Sequence, residues 1–166
     1  MLAAKSILKS PAVLALAVGL ALAGCAKNNK LPDNAGQLGL NGQTPGSQED
    51  FTVNVGDRVF FETDSSVLTP TARQTLDRQA QWLLQYPNYP VTVEGHADER
   101  GTREYNLALG ARRAAATRDY LVSRGVPATR LKTISFGKER PVAVCNDISC
   151  WSQNRRAVTL LSAPTG

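Results

Sequence analysis

The sequence is poor in the residues that catalytic and metal centres use most often. Its 166 residues include one histidine, His96, and three cysteines. No second histidine, thiol or carboxylate cluster stands near His96 at metal-ligand spacing. A Gly-x-Ser-x-Gly motif is also missing, as is a pair of acids placed for glycoside hydrolysis. These absences argue against an enzyme, and we predict neither a metal site nor a cofactor.

The sequence also lacks an apolar run long enough to span a bilayer, which takes about 20 residues as a helix. The longest uncharged apolar stretch, residues 11–23, has 13 residues. It follows Lys5 and Lys9 and ends in small residues, which is typical of a signal peptide. Loss of both lysines with that peptide lowers the net charge from +5 to about +3, too little to indicate nucleic-acid binding.

The end of this stretch, Leu22-Ala23-Gly24-Cys25, looks like a lipobox, the processing signal of bacterial lipoproteins. In that class the peptide is cut before the cysteine, which is acylated, and several acyl chains on one residue anchor stably. We therefore predict a signal peptide over 1–24, lipidation of Cys25 and anchoring through its acyl chains. Because Ala26 is not the Asp associated with inner-membrane retention, the outer membrane is favoured. The alternative is an ordinary secreted protein with a chance cysteine.

Residues 25–50 are rich in Asn, Gln, Gly and Pro and hold few large apolar residues. Such a stretch buries too little surface to offset the entropy of ordering it. We predict a flexible linker with an r.m.s. span of about 25–30 Å, followed by one folded domain over 51–166.

Cys145 and Cys150 remain once Cys25 is lipidated. In an oxidising compartment such a pair is most simply a disulfide, which in this short loop is worth about 2 kcal/mol. A metal site is the rival interpretation, although no histidine or third thiol lies near.

Hydrophobic periodicity predicts a two-layer α/β (α+β) sandwich with alternating strands and helices. Strands are predicted near residues 58–61, 91–94, 132–136 and 157–161, and helices from Thr69-Pro70 to Pro87 and over 104–124. Helices between consecutive strands favour parallel neighbours, whereas the last strand follows a loop and can run antiparallel. The second helix is expected to face the sheet through Leu107, Ala111, Ala114 and Leu121.

The densest polar segment, residues 94–102, lies between a strand and a helix, where ligands of α/β sheets tend to bind. Asn106 and Arg113 are seven residues apart in the following helix and would border the mouth of the loop that holds Asp98. An Asp and an Arg beside one shallow site suit a zwitterion, because the guanidinium grips a carboxylate while the Asp accepts hydrogen bonds from an ammonium. The alternative is that Asp98 and Arg113 pair with each other or are solvated separately.

Three segments carry a resemblance to a known family: Gly95-His96-Ala97-Asp98-Glu99-Arg100-Gly101 with Tyr105-Asn106 and Arg112-Arg113-Ala114, then Gly137-Lys138-Glu139-Arg140-Pro141, then Asn154-Arg155-Arg156-Ala157-Val158. Together they resemble OmpA-like peptidoglycan-binding domains over about residues 57–161. With a lipobox and linker in front, the chain is similar to the peptidoglycan-associated lipoproteins of the Tol–Pal system.

The resemblance implies a βαβαββ fold with a mixed, mostly parallel four-stranded sheet. It implies that Asp98 and Arg113 bind the diaminopimelate of the peptidoglycan stem peptide, with Asn106 in support. Phe61 and Glu62 are carried over as bordering residues, although Glu62 stands where relatives have Asp, so a backbone role is favoured there.

The implied function is to tether the outer membrane to peptidoglycan from the periplasmic side. Its implied partners are TolB and other Tol–Pal components, in a system that supports envelope integrity and outer-membrane constriction at cell division. A wall-modifying enzyme and a motor-stator domain are the alternatives. We also expect Asp98→Ala or Arg113→Ala to abolish peptidoglycan binding while leaving the thermal transition nearly unchanged.

Overall fold

The computed structural model describes residues 44–164. The predicted signal peptide, Cys25 and most of the predicted linker lie outside these residues. No helix among the described residues is long and apolar enough to cross a membrane.

Four strands form one mixed sheet in the order β1-β4-β2-β3. They are β1 (Arg58–Phe60), β2 (Val91–His96), β3 (Leu131–Gly137) and β4 (Arg156–Leu161). β2 and β3 pair in parallel, and β4 runs antiparallel to both of its neighbours, β1 and β2. The sheet is therefore mixed, as predicted, with three strands in one direction. Because β4 inserts between β1 and β2, only one of the three pairings is parallel.

The helices are α1 (Gln48–Asp50), which continues into a π-helical turn (Phe51–Gly56), α2 (Pro70–Gln85), α3 (Arg103–Ser123) and α4 (Ile148–Asn154), with a 3-10 turn (Ala128–Arg130) before β3. The predicted start of α2 is confirmed, since Thr69 Oγ1 accepts a hydrogen bond from the backbone N of Ala72 at 3.1 Å. α4 lies where a loop was predicted.

Order begins earlier than the predicted boundary at residue 51. Trp82 Nε1 donates to Asp50 at 2.9 Å, and the Tyr89 hydroxyl donates to the Gly46 carbonyl at 2.8 Å. Gln48 Nε2 donates to the Leu161 carbonyl at 2.8 Å, at the end of β4 that pairs with the first residue of β2. The composition of residues 25–50 predicted too little buried surface to offset the entropy of ordering them. For the residues named here, these contacts offset that entropy.

The core lies between the sheet and helices α2 and α3, and it contains Phe51, Val59, Leu76, Leu83, Val93 and Leu121. Trp82 packs in it against Phe51, Tyr86 and Tyr89.

Two glycines set the position of α3 on the sheet. A Cβ atom at Gly95 in β2 would overlap the carbonyl oxygen of Gly110 in α3, and one at Gly110 would overlap the side chain of Ser135. The backbones of α3 and β2 therefore approach closely, which places the first turns of α3 beside the end of β2.

The buried face of α3 differs from the predicted one. Leu107 and Ala111 are exposed, whereas Asn106, Leu109, Gly110, Arg113, Ala114, Thr117 and Leu121 are buried. The prediction for Leu107 and Ala111 is wrong because the close contact at Gly110 turns the polar residues Asn106 and Arg113 toward the sheet.

Candidate functional site

The candidate site lies at the carboxyl end of β2, where residues 97–102 lead into α3. Thr102 begins the helix, with its Oγ1 accepting from the backbone N of Tyr105 at 3.2 Å. A cavity of about 240 Å³ opens there, lined by Thr63, Asp64, Asp98, Arg100, Gly101, Tyr105, Asn106 and Leu109. The position at a strand end, with several polar side chains converging on one cavity, is that expected of a small-ligand site.

Asp98 lies at the centre of this site with 7% of its surface exposed. Its Oδ1 accepts from the backbone N and Nε of Arg100 at 3.2 and 3.1 Å. Its Oδ2 accepts from Arg100 Nη2 at 2.7 Å and from Arg155 Nη1 at 3.4 Å. Burial raises the pKa of Asp98, but these hydrogen bonds outweigh burial and hold the pKa below its ordinary value. Asp98 is therefore an anion at neutral pH.

Arg113 has no exposed surface and does not border the mouth of the site, so that part of the prediction is wrong. Its guanidinium donates to the carbonyl groups of Ser65 (2.8 Å), His96 (2.8 Å) and Glu62 (3.1 Å). Burial lowers the pKa of Arg113 to about 10, which still leaves it charged at neutral pH. Arg113 thus joins the loop after β1 to the end of β2, so we expect its replacement to lower stability, contrary to the unchanged thermal transition predicted for Arg113→Ala.

Arg155 supports Asp98 from the same buried side. It is 5% exposed, and its Nε donates to the Phe61 carbonyl at 3.0 Å while Nη1 reaches Asp98. We call this buried part the site floor: Arg113, Arg155 and the carbonyl groups of Phe61, Glu62, Ser65 and His96. In the floor, cations and carbonyl groups fix the place of the Asp98 carboxylate.

Arg100 closes the exposed side of Asp98. Its side chain is 41% exposed, and its guanidinium lies 4.2 Å from the centre of the Trp151 ring. Trp151 Nε1 donates to Glu99, and the Tyr105 hydroxyl donates to Asp64 across the cavity. We call this exposed part the site rim: Asp64, Glu99, Arg100, Tyr105 and Trp151.

Asp64, in the rim, has an unusual backbone conformation. Its φ of +54° makes it the one non-glycine residue with positive φ among residues 44–164. Residues outside their preferred φ,ψ regions cluster at functional sites. The turn that contains Asp64 is held from below, because Arg113 binds the carbonyl groups of Glu62 and Ser65.

The remaining predicted site residues have distinct places. Asn106 is buried and lines the cavity, with its Nδ2 donating to the Arg100 carbonyl at 2.7 Å. Phe61 is part of the core, and Glu62 is exposed. Both contribute carbonyl groups to the floor, while their side chains line a neighbouring cavity.

Cys145 and Cys150 are bonded through their sulfur atoms, with their Cα atoms 5.7 Å apart. Cys150 belongs to α4, which also carries Trp151 and ends just before Arg155. The bridge therefore holds the start of α4, the helix that supplies Trp151 to the rim and leads into Arg155 of the floor. Among the described residues, no group of three or more His, Cys, Asp and Glu side chains is placed to hold a metal ion.

His96 is buried at 2% exposure, and its ring stacks on Phe136. Burial, with repulsion by Arg156 and Arg140, lowers the pKa of His96 to about 4, so its ring is neutral at pH 7. Its Nε2 lies 3.3 Å from Glu94, on the sheet face opposite the helices. This histidine is a structural part of β2 whose carbonyl group belongs to the site floor.

Sequence reasoning passed over Arg100, Tyr105 and Asp64 as site residues. The Asp-x-Arg spacing of Asp98 and Arg100 was the one available signal, since side chains two residues apart in a tight loop can pair. Contacts of Asp64 and Tyr105 join segments 41 residues apart and leave no local signature.

Comparison with known proteins gives a consistent result. Residues 60–155 match the OmpA family. The chain is 70% identical over 160 residues to the peptidoglycan-associated lipoprotein of Agrobacterium fabrum, covering 95% of this chain and 90% of that one. It is 44% identical over 156 residues to the protein of the same name from Pseudomonas aeruginosa, covering 87% and 92%. The crystal structure of the peptidoglycan-associated lipoprotein from Burkholderia pseudomallei superposes with a TM-score of 0.66 at 36% identity, covering 70% of this chain and all of that one.

Proposed function

The chain belongs to the OmpA family, among the peptidoglycan-associated lipoproteins, and from that premise we propose that it tethers the outer membrane to peptidoglycan without a covalent bond. In this proposal the acyl chains on Cys25 hold the membrane. The described domain faces the periplasm and binds the diaminopimelate of the stem peptide.

The observation that carries the proposal is the ionised Asp98 carboxylate in a polar cavity at the end of β2. Diaminopimelate ends in an ammonium and a carboxylate on one carbon. Asp98 is placed to accept hydrogen bonds from the ammonium, because its carboxylate lines the cavity and a charged acceptor makes the stronger hydrogen bonds.

The other predicted site residues act in this proposal by holding that frame. Arg113 binds the turn below Asp64 and adds a positive charge behind Asp98, which favours an anionic group in the cavity. Asn106 fixes the loop through the Arg100 carbonyl. Phe61 and Glu62 contribute their backbone carbonyl groups.

Because the chain is held by the membrane as well as by the wall in this proposal, a peptidoglycan site of modest affinity is enough to maintain the tether. The lipid anchor confines the domain close to the wall, so rebinding occurs at a high effective concentration. A site that releases and rebinds suits an envelope that constricts at division. TolB, in this proposal, competes with the wall for the surface around residues 95–102.

Co-sedimentation of the full-length chain, in detergent, with purified peptidoglycan tests the proposal. Asp98→Asn keeps the shape of the side chain but removes its charge, and it should lower the bound fraction at least tenfold. Asp119→Asn is the matched control, because Asp119 is an exposed residue of α3 paired with its neighbour Arg118.

Addition of TolB to the same mixture should displace the wild-type chain from the pellet. If Asp98→Asn sediments like wild type, diaminopimelate binding at this cavity is wrong. Release of soluble muropeptides by the wild-type chain would favour a wall-modifying enzyme instead.

A further inference from the structure

A second cavity lies next to the candidate site, between the end of β1 and α4. It has a volume of about 360 Å³, and its lining includes Phe60, Glu62, Thr69, Ser152, Gln153 and Arg155. None of these residues lines the cavity that holds Asp98. The second cavity therefore has its own set of side chains, and the proposed function gives it no role.

Arg155 brings to this cavity a buried donor that no protein group uses. The residue is 5% exposed, its Nε donates to the Phe61 carbonyl and its Nη1 donates to Asp98. Its Nη2 has no hydrogen-bond partner among the described residues, and it is not one of their fully enclosed polar atoms that lack a partner. Nη2 therefore reaches open space, and the second cavity is the space that Arg155 borders. A charged donor without a partner is costly, so a ligand acceptor is favoured here.

Phe60 gives the second cavity an exposed aromatic ring. It is the last residue of β1, which is an edge strand, and its side chain is directed away from the core with 48% of its surface exposed. Within residues 44–164 the ring stacks on no other aromatic ring and on no arginine. Such a ring is a platform for a ligand that has an apolar face.

The remaining polar groups of the second cavity can both donate and accept hydrogen bonds. Gln153 Nε2 and Ser152 Oγ each donate to the Ser149 carbonyl, which leaves the Gln153 Oε1 and the Ser152 oxygen as acceptors. Thr69 Oγ1 accepts one bond at the start of α2 and can still donate. The side chain of Glu62 is exposed and makes no hydrogen bond or ion pair among the described residues.

This combination favours an uncharged ligand rich in hydroxyl groups over an ion. Glu62 repels an anion, and Arg155 repels a cation. A pyranose sugar has a face of C–H groups that can pack on Phe60, and a perimeter of hydroxyl groups that can bond to Glu62 and Gln153. An acetamido group on the sugar adds a carbonyl oxygen, which is the acceptor that Arg155 Nη2 lacks.

We propose that the second cavity is a subsite for an N-acetylated sugar ring, with Phe60 as its platform and Arg155 Nη2 as the donor to the acetamido carbonyl. This inference rests on the proposed function, because peptidoglycan carries N-acetylated sugars on the same polymer as its stem peptides. Arg155 joins the two cavities, since its Nη1 reaches Asp98 while its Nη2 is left for the sugar. The domain thus recognises the glycan as well as the peptide of the wall.

Tri-N-acetylchitotriose tests the subsite, because it carries N-acetylated sugar rings and no peptide. Its binding to the full-length chain, in a detergent that has no sugar head group, is measured by NMR titration. We expect weak, saturable binding with the largest shifts at Phe60, Gln153 and the Nε–H of Arg155. Cellotriose has the same linkage but a hydroxyl group in place of each acetamido group. It should bind about fivefold more weakly, because Arg155 Nη2 loses its acceptor.

Phe60→Leu keeps an apolar side chain but removes the ring, so it should weaken chitotriose binding about fivefold. Leu160→Ala is its control, because Leu160 is an exposed apolar residue on the same face of the sheet that does not line the cavity. It should bind the sugar like wild type.

Gln153→Ala removes one hydrogen-bonding group from an exposed position of α4 and should weaken chitotriose binding about threefold. Gln81→Ala, at an exposed position of α2, is its control and should have no effect. Both Phe60→Leu and Gln153→Ala should bind the tripeptide L-Ala-γ-D-Glu-meso-diaminopimelate as wild type does, because the tripeptide occupies the other cavity.

A wild-type chain that sediments with peptidoglycan but shows no saturable binding of chitotriose overturns this inference alone. Equal affinity for chitotriose and cellotriose, or unchanged sugar binding in Phe60→Leu, also overturns it. Loss of the tripeptide together with the sugar in both Phe60→Leu and Gln153→Ala contradicts two separate cavities. A wild-type chain that does not sediment with peptidoglycan overturns the proposed function, and with it the role given to this subsite.

Discussion

In the site floor the arginine side chains bind backbone carbonyl groups, and Arg155 also reaches the Asp98 carboxylate, whereas in the rim Arg100 binds that carboxylate and rests on an indole ring. The floor arginines are at most 5% exposed, and Arg100 is 41% exposed. A buried cation that satisfies carbonyl groups is part of the fold, because its loss leaves those groups unpaired. An arginine that is partly exposed contributes less to stability and can exchange partners, even where its carboxylate is buried. The same residue type thus serves the fold in one region and binding in the other.

Arg113→Leu should give the largest effect on stability. It removes a charged donor from three carbonyl groups, of which that of Glu62 still accepts from Ser65 N, and should lower the free energy of unfolding by about 3–5 kcal/mol. Urea denaturation followed by circular dichroism measures the change. Arg112→Leu, at the adjacent exposed position, should change it by less than about 0.5 kcal/mol. Equal stability of the two variants would contradict the assignment of Arg113 to the fold.

Acidification should weaken the floor through His96. Its pKa is about 4 in the folded chain against about 6.5 unfolded, so the unfolded state binds the proton first as the pH falls. Stability should therefore decrease between pH 6.5 and pH 4, by up to about 3 kcal/mol. Urea titrations at several pH values measure this slope. His96→Gln cannot take up this proton and should have a flatter profile over the same range; an unchanged profile would show that His96 does not contribute.

Removal of the disulfide should have a smaller effect that falls on the rim. Cys145 and Cys150 enclose a short loop, so their joint replacement by Ser should lower the free energy of unfolding by about 2 kcal/mol. Reduction of the wild-type chain should give the same loss, measured by the same denaturation. Complete unfolding on reduction would mean that the bridge holds the core and not only the segment that carries Trp151.

Local patterns predicted much of the fold. Thr69 and Pro70 gave the start of α2, and Gly125, with a positive φ of +98°, follows α3 as a helix-terminating glycine should. The position of β4 was not predictable in this way. Its insertion between β1 and β2 depends on contacts between distant segments, and nothing in the local sequence records them.

The buried face of α3 shows why the site was only partly predicted. Hydrophobic periodicity assigns polar residues to solvent, but Asn106, Arg113 and Thr117 lie on the buried face. The orientation of α3 was inferred from its hydrophobic periodicity. The buried polar residues of α3 at the site weaken that periodicity. Asp98 and Asn106 were identified and do line the cavity, whereas the burial of Arg113 could be seen only in three dimensions.

The hydrogen bond from Gln48 to Leu161 has a mechanical consequence. It places the entry of the described chain at one end of the sheet, while Asp98 follows the last residue of β2 at the other end. If the chain is held by its N-terminal side and by a ligand at Asp98, tension acts along the strands. Strands loaded lengthwise must shear several backbone hydrogen bonds together, whereas strands pulled sideways break them one at a time. The domain is thus oriented to resist pulling, and the ligand should detach before the sheet gives way.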